Sequence, residues 1–185
     1  MSAADLSEAL EWDAGETNAT NVAFDNVIHR DMAEAPPAAR TTAERIAEAL
    51  DGATLPFVAV VIVGTGGNKG LPDKAALLAA LGLKNQVDHE FFDEDVDLFE
   101  EADLTSRNYA QHTAGFCYEP DDVVVIDNDD EDWRKIKNTT AIMTTELSDH
   151  FELNFSDEIV AAPVLFGGRA SDGHVVAVLG TRGLL

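Results

Sequence analysis

The sequence has 185 residues, 45% of them apolar, and 12 lysines and arginines stand against 35 aspartates and glutamates, giving a formal net charge of -23 at pH 7. A chain of this length and composition can bury the core of one ordinary domain and carry an additional N-terminal segment. Its charge repels nucleic acid and anionic membrane surfaces, so we expect neither as a partner.

The acidic residues are spread along the whole chain and do not form a single tail. Such a distribution is typical of a protein surface that stays hydrated in a high-salt cytoplasm, where molar salt shortens the Debye length to about 3 Å. The alternative is an acidic protein from an ordinary organism, and composition does not separate the two. A halophilic host is therefore a working hypothesis.

The opening residues, MSAADLSEALEWDAGE, contain neither the basic region nor the apolar region of a signal peptide. No apolar run approaches the length of a membrane span. Cys117 is the single cysteine, which rules out a disulfide within one chain. These features predict a cytoplasmic protein.

The N-terminal part of the chain predicts an extension followed by a helix and a strand. Residues 1–40 are polar and alanine-rich, and we interpret them as an extension with one or two short helices that dock on a neighbour. Thr41 and Glu44 have the spacing of a capping box, which predicts a helix that begins there and is ended by Gly52. The apolar run 57–63 predicts a central strand.

Four glycines follow that strand, at positions 64, 66, 67 and 70. A glycine-rich loop between a strand and a helix can bind phosphate through backbone N–H groups. However, Lys69 occupies a position where the dinucleotide fingerprint requires glycine, and the order Asn68-Lys69-Gly70 does not fit a P-loop. We therefore favour a structural turn.

The sequence of residues 72–83 predicts a helix, with a strand over 77–83 as the alternative.

Two acidic stretches raise the question of a metal site. Residues 87–103 alternate carboxylates with four large apolar residues, which predicts a solvated amphipathic element anchored by its aromatic side chains. Residues 127–132 begin like a calcium-binding loop, but Asp132 stands where the turn requires glycine. The histidines show no paired ligand spacing, so we predict no metal site.

The last third of the chain alternates polar segments with apolar runs. The segment 106–118 combines a cation, amides, aromatic side chains and the only thiol, and the apolar run 123–126 follows it. Two further apolar runs, 159–166 and 174–179, are separated by the glycine-rich stretch 167–173. They predict an antiparallel hairpin with its turn at 167–173.

The patterns HTAGFCYEPDDVVVIDNDDEDWR and EIVAAPVLFGGRASDGHVVAVLG, together with TTAERIAEALDGATLPFVAVVIVGTG upstream, resemble a GAF domain. The resemblance covers residues 41–182, so we divide the chain into the extension 1–40 and a GAF-like domain 41–185. It implies an α+β fold with a central antiparallel sheet flanked by helices. It also implies a ligand pocket with one wall at 107–118 and another at the loop 127–133.

Each residue expected to line this pocket also has a structural interpretation. Arg107 is suited to an anionic ligand group, and Tyr109, Tyr118 or Trp133 to stacking on a planar one. Alternatively, Tyr109 and Phe116 are core residues, Arg107 pairs with a nearby acid and Trp133 fills space against the sheet. The ligand-binding set implied by the resemblance is Arg107, Tyr109, His112, Cys117, Tyr118, Asp127, Asn128 and Trp133.

These patterns contain no recognisable set of catalytic residues. Serines 106, 148 and 156 lack a nucleophile elbow. Family members that reduce methionine sulfoxide use more than one cysteine, and those that attach a bilin use a Cys-His pair, whereas Tyr118 follows Cys117. We therefore predict a non-catalytic regulatory domain that binds a small molecule or partner chains as a homodimer or in a larger assembly, with no cofactor named. The alternatives are an adaptor subunit without a small ligand and a nucleotide-binding enzyme that uses the loop from Gly64 to Gly70.

Overall fold

A computed structural model gives the fold of this chain. The residues it describes are 27–29, 35–53, 57–64, 67–81, 86–87, 96–97, 100, 102–121, 130–155 and 163–181. Within those ranges no helix is long and apolar enough to cross a membrane. Most of the extension 1–40, most of the acidic stretch 87–103 and the apolar run 123–126 lie outside the described residues. Where the extension is described, Val27–His29 is a strand and a helix begins at Pro37.

The described part of the chain contains three α-helices, one 3-10 helix and eight strands. The helices are α1 (Pro37–Leu50), α2 (Lys74–Leu81) and α3 (Glu131–Glu146), with a short 3-10 helix at Tyr109–Gln111. The strands are β1 (Val27–His29), β2 (Phe57–Val63), β3 (Gln86–Val87), β4 (Val96–Asp97), β5 (Asp103–Ser106), β6 (Ser148–Asn154), β7 (Pro163–Arg169) and β8 (Val175–Thr181).

Six of these strands form one sheet in the order β1-β2-β8-β7-β6-β5, and β3 pairs with β4 in a separate two-stranded ribbon. The strands from β2 to β5 in that order are antiparallel to their neighbours, and β1 joins β2 in parallel. The α+β class is thus confirmed. The strand predicted at 57–63 is also confirmed, and it lies inside the sheet between β1 and β8.

Alternation along the strands separates two apolar layers, because successive side chains of a strand point to opposite faces. On one face, Val60 and Ile62 of β2 and Val176 and Val178 of β8 pack with buried residues of α1 and α3. On the other face, a second buried cluster includes residues of α2 with Phe151, Leu153 and Leu165. The segment 107–118 belongs to the first of these layers through Tyr109.

Helix α1 begins earlier than the capping box predicted, so the predicted start at Thr41 is wrong. Pro36 occupies the N-cap position and Pro37 begins the helix. Proline suits the first helical position because its fixed φ matches the helix and its missing N–H would have no partner there. Asp172, from the turn between β7 and β8, accepts a hydrogen bond from the Ala39 N–H at 2.9 Å and replaces the local cap.

The predicted hairpin is confirmed, but its turn is shorter than predicted. Strand β7 continues through Gly167 and Gly168 to Arg169, and the turn is closed by the Ala170 N–H, which donates to the His174 carbonyl at 2.9 Å. Gly167 is a packing glycine, because a Cβ there would lie 2.6 Å from the Ala177 Cβ. The glycines at 167 and 168 therefore serve close packing within the sheet and do not form the turn.

The helix predicted over 72–83 is confirmed as α2, and the strand alternative over 77–83 is wrong over the residues that the structure describes. Its apolar side chains Leu77, Leu78 and Leu81 are buried. Asp73 accepts a hydrogen bond from the Ala76 N–H at 2.9 Å and so caps the helix start.

Candidate functional site

The candidate site implied by the resemblance is built on the end of β5 and the turns that follow it. The Arg107 N–H donates to the His150 carbonyl at 2.9 Å, which extends the pairing of β5 with β6 by one residue. Asn108 then caps the 3-10 helix, because its side chain accepts from the Ala110 N–H at 3.2 Å. The helical part of the wall at 107–118 is therefore one 3-10 turn, Tyr109–Gln111.

Arg107 is held by acids and carbonyls of the protein itself. Its Nη1 donates to Glu152 Oε2 at 2.5 Å and to Glu119 Oε1 at 2.8 Å, and its Nη2 donates to the Tyr118 carbonyl at 3.3 Å. The Arg107 side chain is 9% exposed. Charge-assisted hydrogen bonds of this kind are about twice as strong as neutral ones, and they fix the guanidinium in place.

His112 lies beside this guanidinium and closes the turn. Its Nδ1 contacts the Tyr118 carbonyl in a short hydrogen bond and lies 3.2 Å from the Arg107 Nη2. A carbonyl only accepts and a guanidinium only donates, so Nδ1 can hydrogen-bond to one of these two groups at a time, according to where the imidazole carries its proton. His112 is buried and therefore supports the loop from inside.

Tyr109 is a core residue with both ends satisfied. Its hydroxyl donates to the Phe151 carbonyl at 2.5 Å and lies 3.1 Å from the Gly167 carbonyl. Its ring stacks on His150 with 4.6 Å between the centroids. Burial raises the pKa of Tyr109 well above its ordinary value, against an opposing effect of Arg107, so the phenol stays protonated.

Cys117 is half-buried, and the loss of hydration raises its pKa to about 12 from an ordinary value of 9.0. We expect the native thiol to react with a thiol reagent such as DTNB about a thousandfold more slowly at pH 8 than an unperturbed cysteine, because only the thiolate attacks. The measurement is the rate of thionitrobenzoate release. The same chain unfolded in guanidinium chloride is the control, and equal rates in the two states would contradict the expectation.

A tight turn at Gly115 presses the candidate wall onto α3. Gly115 has φ +128, and a Cβ there would collide with the Ile136 Cγ2. The next residue, Phe116, donates its N–H to Thr140 Oγ1 at 2.9 Å. The turn is therefore fixed to the helix by backbone conformation, packing and a buried hydrogen bond together.

Gly115→Ala should lower the free energy of unfolding by about 2 to 3 kcal/mol, because it adds a steric collision to an unfavourable φ. Gly67→Ala is the matched control: Gly67 has φ +114, but its added Cβ would meet no described atom within 4 Å. We expect the control to cost about 1 kcal/mol, from backbone strain alone. Denaturant unfolding measures both, and equal losses would mean that the contact with Ile136 is not a constraint.

Trp133 lies in the first turn of α3, whereas the sequence analysis assigned it to a loop. Asp130 is the N-cap and accepts from the Asp132 and Trp133 N–H groups at 2.9 and 3.4 Å. The Trp133 ring meets Tyr118 edge-on at 5.8 Å, and Lys137 Nζ lies 5.0 Å from its centroid. Trp133 is buried, and within the described part of the chain its Nε1 has no hydrogen-bond partner.

The structure thus brings five of the predicted residues into one continuous region: Arg107, Tyr109, His112, Cys117 and Tyr118. Trp133 joins this region by its contact with Tyr118. Arg107, His112 and Tyr118 share hydrogen bonds, and Tyr109 and Trp133 belong to the same buried layer. Cys117 packs against that layer. Asp127 and Asn128 lie outside the described residues, whereas residues 130–133 of the second predicted wall form the cap and first turn of α3.

The glycine-rich loop is held by an arginine that the sequence analysis left without a role. Arg169 is 2% exposed and donates to the carbonyls of Gly67, Gly70 and Gly173 at 3.0, 2.7 and 2.7 Å. The Gly70 N–H donates to Asp149 Oδ2 at 2.9 Å. In its described part the loop therefore directs carbonyls to a buried cation, and one of its N–H groups already binds a carboxylate. The sequence does contain a signal for this role, because Arg169 is a basic residue between the two apolar runs of the hairpin.

An open cleft of about 500 Å³ lies between the start of α1, the end of α3 and the hairpin turn. It is lined by Pro37, Ala38, Thr41, Thr42, Glu146 and Ser171. Glu146 is already engaged there, because Thr42 donates to it at 2.9 Å and Arg45 forms an ion pair with it. Among the residues with described positions, no group of three His, Cys, Asp or Glu side chains is arranged to hold a metal ion.

Comparisons of the chain with protein-family models, with curated proteins and with solved structures found no match. The function must therefore be inferred from the geometry of the chain itself.

Proposed function

We propose that this chain is a non-catalytic regulatory domain that works through surfaces offered to partner chains. The observation that carries the proposal is the pairing of the Arg107 guanidinium with carboxylates of the chain itself. One guanidinium nitrogen already donates to two carboxylates, those of Glu152 and Glu119. An anionic ligand would have to replace these acids and would meet their charge while doing so.

The other chemical groups of the region support the same proposal. Cys117 has a pKa of about 12, so its thiolate is scarce at neutral pH. The Tyr109 hydroxyl is committed to backbone carbonyls inside the core. These side chains hold the turn 107–118 against α3 and β6, and a rigid turn of this kind suits a surface that has to present one fixed shape.

Native mass spectrometry of the protein, purified from its own host and kept in high salt until desalting, tests the proposal. We expect the mass of the chain, or of the chain with other polypeptides, without a bound small molecule. The control is the recombinant protein prepared in the same way. A metabolite bound one-to-one in the host preparation would overturn the proposal that the chain works through its surfaces alone.

A GAF-like ligand sensor is the second candidate, and a specific observation favours it. Arg107 Nε and Trp133 Nε1 are buried donors without an acceptor among the residues that the structure describes, and both lie in the predicted pocket region. Unsatisfied buried donors are uncommon, and an acceptor supplied from outside the chain is one explanation for them. A neutral ligand with acceptor atoms would satisfy them. Trp133→Phe should then release the metabolite seen in the native spectrum, whereas an adaptor would show no difference between the two proteins.

A further inference from the structure

Aspartate is followed by glycine at two places in the sequence, Asp51–Gly52 and Asp172–Gly173. In such a pair the glycine nitrogen can reach the carboxyl carbon of the aspartate and close a ring, because glycine has no Cβ and its backbone turns freely. Asp51 is the C-cap of α1, and Asp172 lies in the turn between β7 and β8. The two pairs have the same chemistry in different surroundings, so they can be compared within one molecule.

The pair at Asp172 is held in place by hydrogen bonds. Asp172 Oδ2 accepts from the Ala39 N–H at 2.9 Å, and its Oδ1 accepts from the His174 N–H at 3.0 Å. Gly173 is buried, and its N–H donates to the Ala170 carbonyl at 2.9 Å. The attacking nitrogen and the carboxyl group are thus both engaged, and ring closure at this turn would have to break these bonds.

The pair at Asp51 lies in solvent, because Asp51 and Gly52 are both exposed. Gly52 has φ +66, the left-handed conformation in which glycine often follows the end of a helix. The hydrogen bond that closes this turn joins the Ala53 N–H to the Leu50 carbonyl at 2.9 Å and uses neither the Asp51 carboxylate nor the Gly52 N–H. Asp51 has ψ 128 and must rotate before the Gly52 nitrogen faces its carboxyl carbon. In an exposed turn this rotation displaces water and leaves the packed core intact.

We propose that Asp51–Gly52 is a site of spontaneous backbone modification, at which aspartate is converted to isoaspartate through a succinimide ring. The Gly52 nitrogen bonds to the Asp51 Cγ, its proton and the hydroxyl of the protonated carboxyl leave together as water, and a five-membered ring results. Water then reopens the ring. Attack at Cγ restores aspartate, whereas attack at the main-chain carbonyl carbon of Asp51 breaks the bond from that carbon to the Gly52 nitrogen. The chain then runs through Cβ and Cγ.

The modification lengthens the connection between α1 and β2 without changing the mass or the charge of the chain. One additional carbon enters the main chain between Leu50 and Ala53, and the freed carboxylate becomes a side chain. The hydrogen bond from the Ala53 N–H to the Leu50 carbonyl spans the altered link, so it is the first contact that the modification disturbs. The isoaspartate content of this turn therefore increases with the age of the molecule, whatever ligand or partner the chain binds.

The test incubates the full folded chain in water labelled with heavy oxygen, at about 2 M KCl to screen its charge and at about pH 6 to supply the acid form of a carboxyl group. After digestion, chromatography against synthetic peptides separates the isoaspartyl from the aspartyl form at both positions. We expect at least about tenfold more isoaspartate at Asp51 than at Asp172, with one heavy oxygen atom taken up in each event. The control is the chain unfolded in guanidinium chloride, in which the two positions should react at rates within about threefold of each other.

Asp51→Asn tests the same turn by a second route, because asparagine closes the same ring with loss of ammonia. Asn138 is the matched control, since it is exposed but its backbone is fixed in the middle of α3. We expect position 51 of the folded variant to lose ammonia at least about tenfold faster than Asn138. The measurement is the mass gain of the digested peptides that contain each position.

Comparable isoaspartate at Asp51 and Asp172 in the folded chain would mean that local structure does not select the site. Isoaspartate at Asp51 only in the unfolded chain, or loss of ammonia from Asp51→Asn no faster than from Asn138, would mean that the turn cannot close the ring. Isoaspartate that contains no heavy oxygen would exclude the succinimide. Each of these results overturns the proposal.

Discussion

Arg169→Met should lower the free energy of unfolding by about 3 to 5 kcal/mol, the largest effect that we expect from a single substitution in this chain. The guanidinium is buried and donates to three carbonyls, those of Gly67, Gly70 and Gly173. Methionine fills similar space but donates nothing, so the carbonyls lose their shared partner. Guanidinium unfolding at fixed KCl measures the loss.

Two further variants identify the cause of that loss. Arg169→Lys keeps the charge but has no planar fork, so it should recover less than half of the lost stability. Arg134→Met removes an exposed arginine of α3 and should change the stability by less than about 0.5 kcal/mol. If Arg169→Met costs no more than Arg134→Met, the buried guanidinium does not hold the loop.

Raising KCl from 0.1 to 2 M should raise the thermal unfolding midpoint by about 10 °C or more, equivalent to about 3 kcal/mol for a chain of this size. At most 12 of the 35 acids can pair one-to-one with a lysine or arginine, which leaves 23 carboxylates repelling one another. Salt screens this repulsion more in the compact state, where the charges are closest together.

The choice of salt and co-solute provides the control for this measurement. Tetramethylammonium chloride at the same ionic strength should stabilise nearly as much as KCl if screening is the cause. Isosmolar sucrose, which carries no charge, separates screening from the general exclusion of co-solutes. An unfolding midpoint that does not move between 0.1 and 2 M KCl would remove the halophilic interpretation.

Local sequence patterns correctly predicted the elements whose apolar residues are buried against the sheet. The run from Phe57 to Val63 is apolar at every position, and it forms β2 over those residues. Ala43, Ile46, Ala47 and Leu50 recur on one helical face in the sequence, and in α1 Ala47 is partly buried and the other three are buried. Periodicity succeeds in such segments because one physical demand, burial against a sheet, determines every position.

The same patterns failed where distant residues decide the local structure. The start of α1 was predicted four residues late, because its actual cap is Asp172, which is 133 residues away in the sequence. Arg169 was assigned to a turn, because its partners Gly67 and Gly70 are about a hundred residues earlier. A carbonyl that binds a remote guanidinium leaves no local pattern, so one sequence cannot reveal it.

The candidate site shows the same division. The density of functional groups in 106–118 predicted a cluster, and Arg107, His112 and Tyr118 do lie together. Their use could not be predicted, because it depends on Glu152, which reaches Arg107 only after β6 has paired with β5. Neighbours that are distant in the sequence, such as Glu152 here, decide whether a residue is available to a ligand or stabilises the fold.

The pairing of β2 with β8 determines when this sheet can form during synthesis. Val60 pairs with Val178, and the difference between these positions is 118 residues. At about 5 to 20 residues per second, the ribosome needs roughly 6 to 24 seconds to deliver the partner of β2 after β2 itself. During that interval the seven consecutive apolar residues of β2 are not paired with β8. A chaperone that shields the run 57–63 should therefore increase the yield of folded protein more than one that acts after release.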